Sequence, residues 1–258
     1  MKVWLRSLLF LLALLITTPV FAIIALLILP LAPIRRYRIV TMWSRIYMWL
    51  SVHLCGVRYR VEGIENLPDT PCIIYSKHQS AWETVAFQGI FPPQVWVAKR
   101  ELAWVPFFGW GLATLSPILI NRSDKRKANQ QLITQGRDRI AKGFWIVIFP
   151  EGSRVPAGQV RDFKMGGARL ARDLNVPIVP VALNSGEFWP KNSLWRFPGE
   201  IVVAIGPAIS PDGHTVQSLT TAGESWIKHE MPRISGVGPC HPRNNSNLAN
   251  TPSRATID

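Results

Sequence analysis

Short apolar runs recur along the middle of this chain, at residues 72–75, 95–98 and 144–149, and helix-like patterns fall between them. Runs of this kind read as strands buried on both faces, and strands that alternate with helices must be covered by them. The pattern predicts an α/β fold with a mixed central sheet, parallel and antiparallel, flanked by helices. Residues 57–62 alternate as a half-exposed strand, and 178–183 and 201–206 read as later strands. Ser123 or Asp124 suits the start of a helix through about Ala141, with Leu132, Ile133 and Ile140 on one side and Gly143 at its end. Further helices are predicted over about 165–174 and 215–231. From Pro232 onward Pro, Gly, Asn, Ser and Thr dominate, so 232–258 is read as a disordered tail.

The N-terminus is of another kind. No charged residue lies between Arg6 and Arg35, and residues 8–29 are almost wholly Leu, Ile, Ala, Phe and Val. That stretch exceeds the roughly 20 residues needed to cross a bilayer. Lys2, Arg6, Ala22 and Ala25 also suit a cleavable signal peptide, but signal cores run about 7–15 residues and this one continues well past that. A retained membrane anchor is the better reading. Pro19, Pro30 and Pro33 interrupt a straight rod, so a bent or interfacial hairpin stands beside a true span. Its second arm would be residues 37–53, where Tyr37, Trp43, Tyr47 and Trp49 lie among Arg38, Arg45 and His53. Such side chains favour the headgroup level of a membrane, and the same pattern suits a helix packed on the domain. The expected division is a membrane-associated helical hairpin over 1–54, the main domain over 55–231 and the tail.

With 29 Lys and Arg against 16 Asp and Glu, the formal charge is +13, a field that attracts nucleic acid or an anionic membrane. The apolar N-terminus favours membrane lipids. No zinc-like spacing, basic tail or RNA-binding aromatic signature supports nucleic acid. The three cysteines, Cys55, Cys72 and Cys240, are spaced for neither a metal site nor a disulfide framework, which suggests a reducing compartment. Arg35, Arg36, Arg38 and Arg45 outnumber Lys2 and Arg6 on the far side of the anchor, so the main domain is expected on the cytoplasmic face of the inner membrane.

Two polar turns follow strand-like runs. One is Lys77-His78-Gln79-Ser80-Ala81-Trp82-Glu83, the other Phe149-Pro150-Glu151-Gly152-Ser153-Arg154. In an α/β fold such strand-to-helix turns are the usual site of chemistry. On a regular helix, positions i and i+5 point about 140° apart, so His78 is expected in the turn before the helix that carries Glu83.

These blocks, with Pro117-Ile118-Leu119-Ile120-Asn121-Arg122 and Val176-Pro177-Ile178-Val179-Pro180-Val181, resemble in order the four motifs of the 1-acyl-sn-glycerol-3-phosphate acyltransferase family. The resemblance covers roughly residues 70 to 185. Lys77 stands where that family usually has Asn, Glu83 where it has Asp, and Ser153 where Thr is commoner. The resemblance implies transfer of an acyl group from acyl-CoA or an acyl carrier protein to lysophosphatidic acid, giving phosphatidic acid. His78 would be the general base and Glu83 its orienting carboxylate. Arg122 and Arg154 would bind the phosphate in bidentate fashion, Glu151 and Gly152 would shape that site, and Lys99 would lie beside it. A thioester is an activated donor, so neither a metal nor a further cofactor is expected.

Other readings are weaker. The nucleophile elbow Gly-x-Ser-x-Gly of many hydrolases does not occur, and Cys72 falls in a run read as a buried strand. A dinucleotide or phosphate-loop pattern is also missing. Acylation of another lysolipid, such as a lyso-ornithine lipid, remains open. So does a non-catalytic lipid-binding protein, although a binding pocket needs no oriented base. The apolar segment 103–112 suits an acyl-chain tunnel, a membrane contact or plain core packing.

Overall fold

The structure is a computed structural model, and it describes residues 2–120 and 125–247. Its strands are β1 (Val57–Glu62), β2 (Ile73–Ser76), β3 (Gln94–Lys99), β4 (Ile118–Ile120), β5 (Trp145–Ile148), β6 (Ile178–Leu183) and β7 (Gly199–Ile205). They join in one sheet in the order β1-β7-β6-β2-β5-β3-β4. From β6 to β4 all neighbours are parallel. β7 runs antiparallel to β6 and carries β1 parallel at the edge. The sheet is therefore mixed, as the alternating pattern predicts.

The central strands are buried throughout, and successive side chains serve opposite faces. Ile73 and Tyr75 of β2 join Ile146, Ile148 and Ile178 under helices α6 (Lys125–Ala141), α7 (Gly166–Leu174) and α8 (Val216–Ile234). Ile74, Val147, Val179 and Val181 face the other way, under Trp82 and Phe87 of helix α4 (Trp82–Ile90). Each fully buried aliphatic or aromatic side chain contributes about 1.5–3 kcal/mol, which makes this two-sided burial the main support of the sheet. Helix α7 presses close to β2, because a Cβ on Gly167 would lie 2.6 Å from a ring carbon of Tyr75.

The first 54 residues do not stand apart from this body. They form α1 (Val3–Leu27), α2 (Pro33–Val40) and α3 (Met42–Leu50), the last prolonged by a wide turn over Ser51–Cys55. Phe10 is buried, with its ring edge-on to Tyr47 at 5.2 Å and to Trp189 at 5.3 Å. The Ser7 hydroxyl accepts the backbone N–H of Arg196 at 2.9 Å. Near the other end of α1, Ala22 faces Gly111 of α5 (Phe108–Thr114), and Ala25 is buried in the core. The hairpin thus contributes to both core clusters, with Phe10, Tyr47 and Met48 in the one under α4 and Ala25, Tyr37 and Val40 in the other. Tyr37 and Tyr47, suited by type to a headgroup layer, are buried instead, whereas Trp49 is 58% exposed. The outer face of α1 shows Leu12, Leu15, Ile16, Val20, Ile23 and Leu27 to the surroundings. Among the described residues α1 is the one helix long and apolar enough to cross a membrane.

Helix α8 continues to Ile234, past the limit of 231 set from the composition, with Pro232 in its last turn. Beyond it the backbone N–H groups of Gly236, Val237 and Gly238 converge on the buried carboxylate of Glu187, which holds at least this part of the expected tail in place. Residues 248–258 lie outside the described residues.

Candidate active site

β2 and β5 are parallel neighbours, so the turns that follow them open at the same edge of the sheet. A crevice beyond the carboxyl ends of such strands is where α/β folds present their functional side chains. Here one turn carries Lys77 and His78 and the other carries residues 149–154.

His78 lies in the turn before α4, and Glu83 in the first turn of that helix. His78 Nδ1 is 2.9 Å from Glu83 Oε1. An ionised carboxylate accepts only, so Nδ1–H donates to it, and in the neutral imidazole Nε2 keeps its lone pair. Oε1 also accepts the N–H of Gln79 at 2.6 Å and of Ser80 at 2.8 Å, while Oε2 accepts the hydroxyls of Ser80 at 2.9 Å and Ser185 at 2.8 Å. Burial alone would push this carboxyl up. The hydrogen bond and charge of His78, with the N–H of Ser80, outweigh burial and hold it below the ordinary carboxylate range.

The sequence signal for part of this network is the Ser-x-x-Glu spacing of residues 80 and 83. It is the spacing of a capping box, in which a serine and a glutamate satisfy each other's turn at a helix start. The Ser80 hydroxyl accepts the N–H of Trp82 at 2.9 Å, and Glu83 accepts the N–H of Ser80. One glutamate therefore both starts α4 and faces the imidazole. Nothing in the local spacing points to Ser185.

The second turn grips the backbone and ring of His78. Glu151 Oε2 accepts the His78 N–H at 2.8 Å, and the N–H of Val155 donates to the His78 carbonyl at 2.8 Å. Phe149 stacks on the imidazole at 3.8 Å with planes 13° apart. Glu151 Oε1 pairs with Lys77 Nζ at 2.8 Å. Burial pushes the Glu151 carboxyl up, and Lys77 draws it partly back. Both oxygens of Glu151 are thus committed to the first turn. Its carboxylate braces the turn that carries His78, and Glu151 is not among the residues that line the cavity beside that turn.

A cavity of about 610 Å³ opens beside His78. Ser153, Arg154 and Lys191, with Gly152 beside them, are among its polar lining residues, and Phe21, Trp43, Trp96, Leu112 and Leu115 are among its apolar walls. Gly152 has φ +78°, and a Cβ there would fall 2.7 Å from Lys164 Nζ. Lys164 and Lys191 are cations that motif spacing did not single out. In the segment 103–112, Phe107, Phe108 and Leu112 line the cavity, and Trp104, Phe107, Phe108 and Trp110 are all exposed in part. The structure thus brings His78, Glu83, Gly152 and Arg154 to one place, with Glu151 behind them. Arg122 lies outside the described residues. Lys99 ends β3, and its side chain is likewise outside the description.

Comparisons with known proteins bear on the family and the fold. The Acyltransferase family model matches residues 58–184, which include every motif described above. A 1-acyl-sn-glycerol-3-phosphate acyltransferase of Pseudomonas aeruginosa is 44% identical over 237 residues, covering 90% of this chain and 92% of that one. The 1-acyl-sn-glycerol-3-phosphate acyltransferase alpha of Mus musculus is 28% identical over 216 residues, covering 82% of this chain and 75% of its own length. In fold, the chain is similar to the crystal structure of the 1-acyl-sn-glycerophosphate acyltransferase PlsC from Thermotoga maritima, with a TM-score of 0.76 at 23% identity over 89% of this chain and 94% of that one. By this similarity of sequence over nearly its whole length, the chain belongs to the 1-acyl-sn-glycerol-3-phosphate acyltransferase family and is an enzyme of the acyltransferase class.

Proposed function

We propose that the protein transfers an acyl group from an acyl thioester, acyl-CoA or acyl carrier protein, to the sn-2 hydroxyl of 1-acyl-sn-glycerol 3-phosphate. The observation that carries this reading is the 2.9 Å contact between His78 and a wholly buried Glu83, at a cavity that is apolar on one side and cationic on another. His78 Nε2 takes the proton of the attacking hydroxyl as its oxygen bonds to the thioester carbonyl carbon. Glu83 stabilises the imidazolium that forms. The tetrahedral intermediate then collapses, the carbon–sulfur bond breaks, and the imidazolium returns the proton to the leaving thiolate. Products are phosphatidic acid and free thiol. Because a thioester is already activated, these steps need no covalent enzyme intermediate and no metal.

Arg154, with Lys191 beside the same cavity, supports a phosphate-bearing acceptor, and Arg122 and Lys99 are proposed as further phosphate contacts. Gly152 gives the room in which Lys164 approaches. The apolar walls suit acyl chains.

The enzyme works at a membrane surface in this reading. Because α1 is fastened to the body at Ser7, Phe10, Ala22 and Ala25, it is seated in the interface plane with its outer leucines toward the acyl chains. The free thiols of Cys55, Cys72 and Cys240 are consistent with the cytoplasmic face. The test is to add purified protein to lysophosphatidic acid with acyl-CoA or acyl carrier protein and follow phosphatidic acid and thiol. A panel with lyso-ornithine lipid and headgroup-bearing lysophospholipids fixes the acceptor. Binding of lysophosphatidic acid without any acyl transfer would make the protein a lipid-binding one and end the proposal.

A further inference from the structure

Glu83 Oε2 points away from His78 and is held by two hydroxyls. One of them, on Ser80, belongs to the same turn. The other, on Ser185, comes from the far side of the sheet centre, 102 residues along the chain, where β6 gives way to a short turn over Ser185–Glu187. Ser185 is wholly buried, and an ionised carboxylate can only accept, so the serine donates. From this geometry we infer that Ser185 is a positioning residue of the acyl transfer reaction, fixing the Glu83 carboxylate so that Oε1 meets the imidazole in one orientation.

Two further observations bear on why a distant serine is needed. A glutamate has one more rotatable bond than an aspartate; the N–H groups of Gln79 and Ser80 hold Oε1, and the hydroxyls on Oε2 fix the remaining rotation of the carboxylate. Ser80 ties it only to its own turn. Ser185 ties it to the sheet.

The turn that carries Ser185 is itself braced on every side. Asn184 donates its amide to the Ile234 carbonyl at 2.8 Å and accepts the Val202 N–H at 2.8 Å. Gly186 N–H donates to the Gln79 side chain at 3.0 Å, a second link to the His78 turn. Glu187 accepts the Ser235 hydroxyl at 2.6 Å and the N–H groups of Gly236 at 2.8 Å, Val237 at 3.0 Å and Gly238 at 2.7 Å. The end of α8 and the segment after it thus hold residues 184–187 rigid, and through Ser185 that rigidity reaches Glu83 and His78.

The inference rests on the proposed role of His78, and its test is built to separate the two. Ser185→Ala, Ser185→Thr, Glu83→Ala, Ser185→Ala with Glu83→Ala, and His78→Asn are compared in one preparation. Ser185→Ala is expected to lower kcat by about tenfold with KM little changed, the size of one hydrogen bond to a charged group. Ser185→Thr, which keeps the hydroxyl, restores most of it. In the Glu83→Ala background the further loss of Ser185 costs nothing, because no carboxylate remains to be held; a merely structural serine would cost the same in both backgrounds. A second readout needs no substrate. In protein carrying nitrogen-15 histidine, the His78 Nδ1–H signal, identified by its loss in His78→Asn, is expected to exchange with water at least tenfold faster in Ser185→Ala. An unchanged exchange rate, or equal losses of kcat with and without Glu83, overturns the role of Ser185. If His78→Asn retains full turnover while Ser185→Ala still speeds the exchange, it is the catalytic reading that fails and the positioning that stands.

Discussion

Lys77 Nζ lies 2.8 Å from Glu151 Oε1, and both side chains are almost wholly buried. The pair joins the turn after β2 to the turn after β5. Removing one partner of a buried pair leaves an uncompensated charge, at a cost of about 3–5 kcal/mol, while removing both costs far less. Lys77→Met is therefore expected to lower the unfolding free energy by that order in a urea titration. The double variant Lys77→Met with Glu151→Gln should recover most of it. Additive losses in the two single variants would mean the pair is not coupled.

Glu83 predicts a pH dependence of stability. Its folded-state carboxyl lies below the ordinary range and the unfolded one near the usual value of about 4.3. The folded state thus binds the proton more weakly. The stabilisation is full above the unfolded value and is lost as pH falls through the folded value. Glu83→Gln removes this component. The stability gap between wild type and variant should narrow as denaturant titrations move from pH 6 to below pH 4. A gap that widens on acidification would contradict the assignment.

Arg154 lines the cavity beside His78. Loss of a guanidinium from a phosphate removes a charge-assisted contact, commonly about 1.5–3 kcal/mol. Arg154→Ala is expected to raise KM for lysophosphatidic acid at least tenfold and to change KM for the acyl donor far less. Equal effects on both substrates would remove its phosphate role.

Leu15 and Ile16 on α1 are 72% and 69% exposed. Both are turned away from the core, so Leu15→Glu with Ile16→Glu should leave the melting temperature near that of wild type. Co-sedimentation with anionic lipid vesicles should fall severalfold, because two charges replace apolar area at the membrane face. Undiminished sedimentation would place the membrane contact elsewhere.

What could be read from the sequence followed from local physics. β2, β5 and β6 were legible because strands buried on both faces are continuous apolar runs, and His78 with Glu83 was legible because both sit in one short turn. β4 is not legible as a strand, since its three residues, Ile118–Ile120, are too few to show a period. Pro232 suggested an end to order, yet it fits in the last turn of α8 because contacts around Glu187 hold the following segment. Tyr37 and Tyr47 carry the same side chain whether they meet headgroups or a core, so only packing separates the two. The pairing of Lys77 with Glu151 and of Ser185 with Glu83 spans 74 and 102 residues. Such contacts are made by strand order, which no local pattern encodes.

The most direct measurement of the central claim is the turnover of His78→Ala against wild type, with lysophosphatidic acid and acyl thioester saturating and folding checked by circular dichroism. Loss of the general base is expected to cut kcat by about 10²–10⁴-fold with the fold intact. A folded His78→Ala protein that forms phosphatidic acid at the wild-type rate would contradict the account.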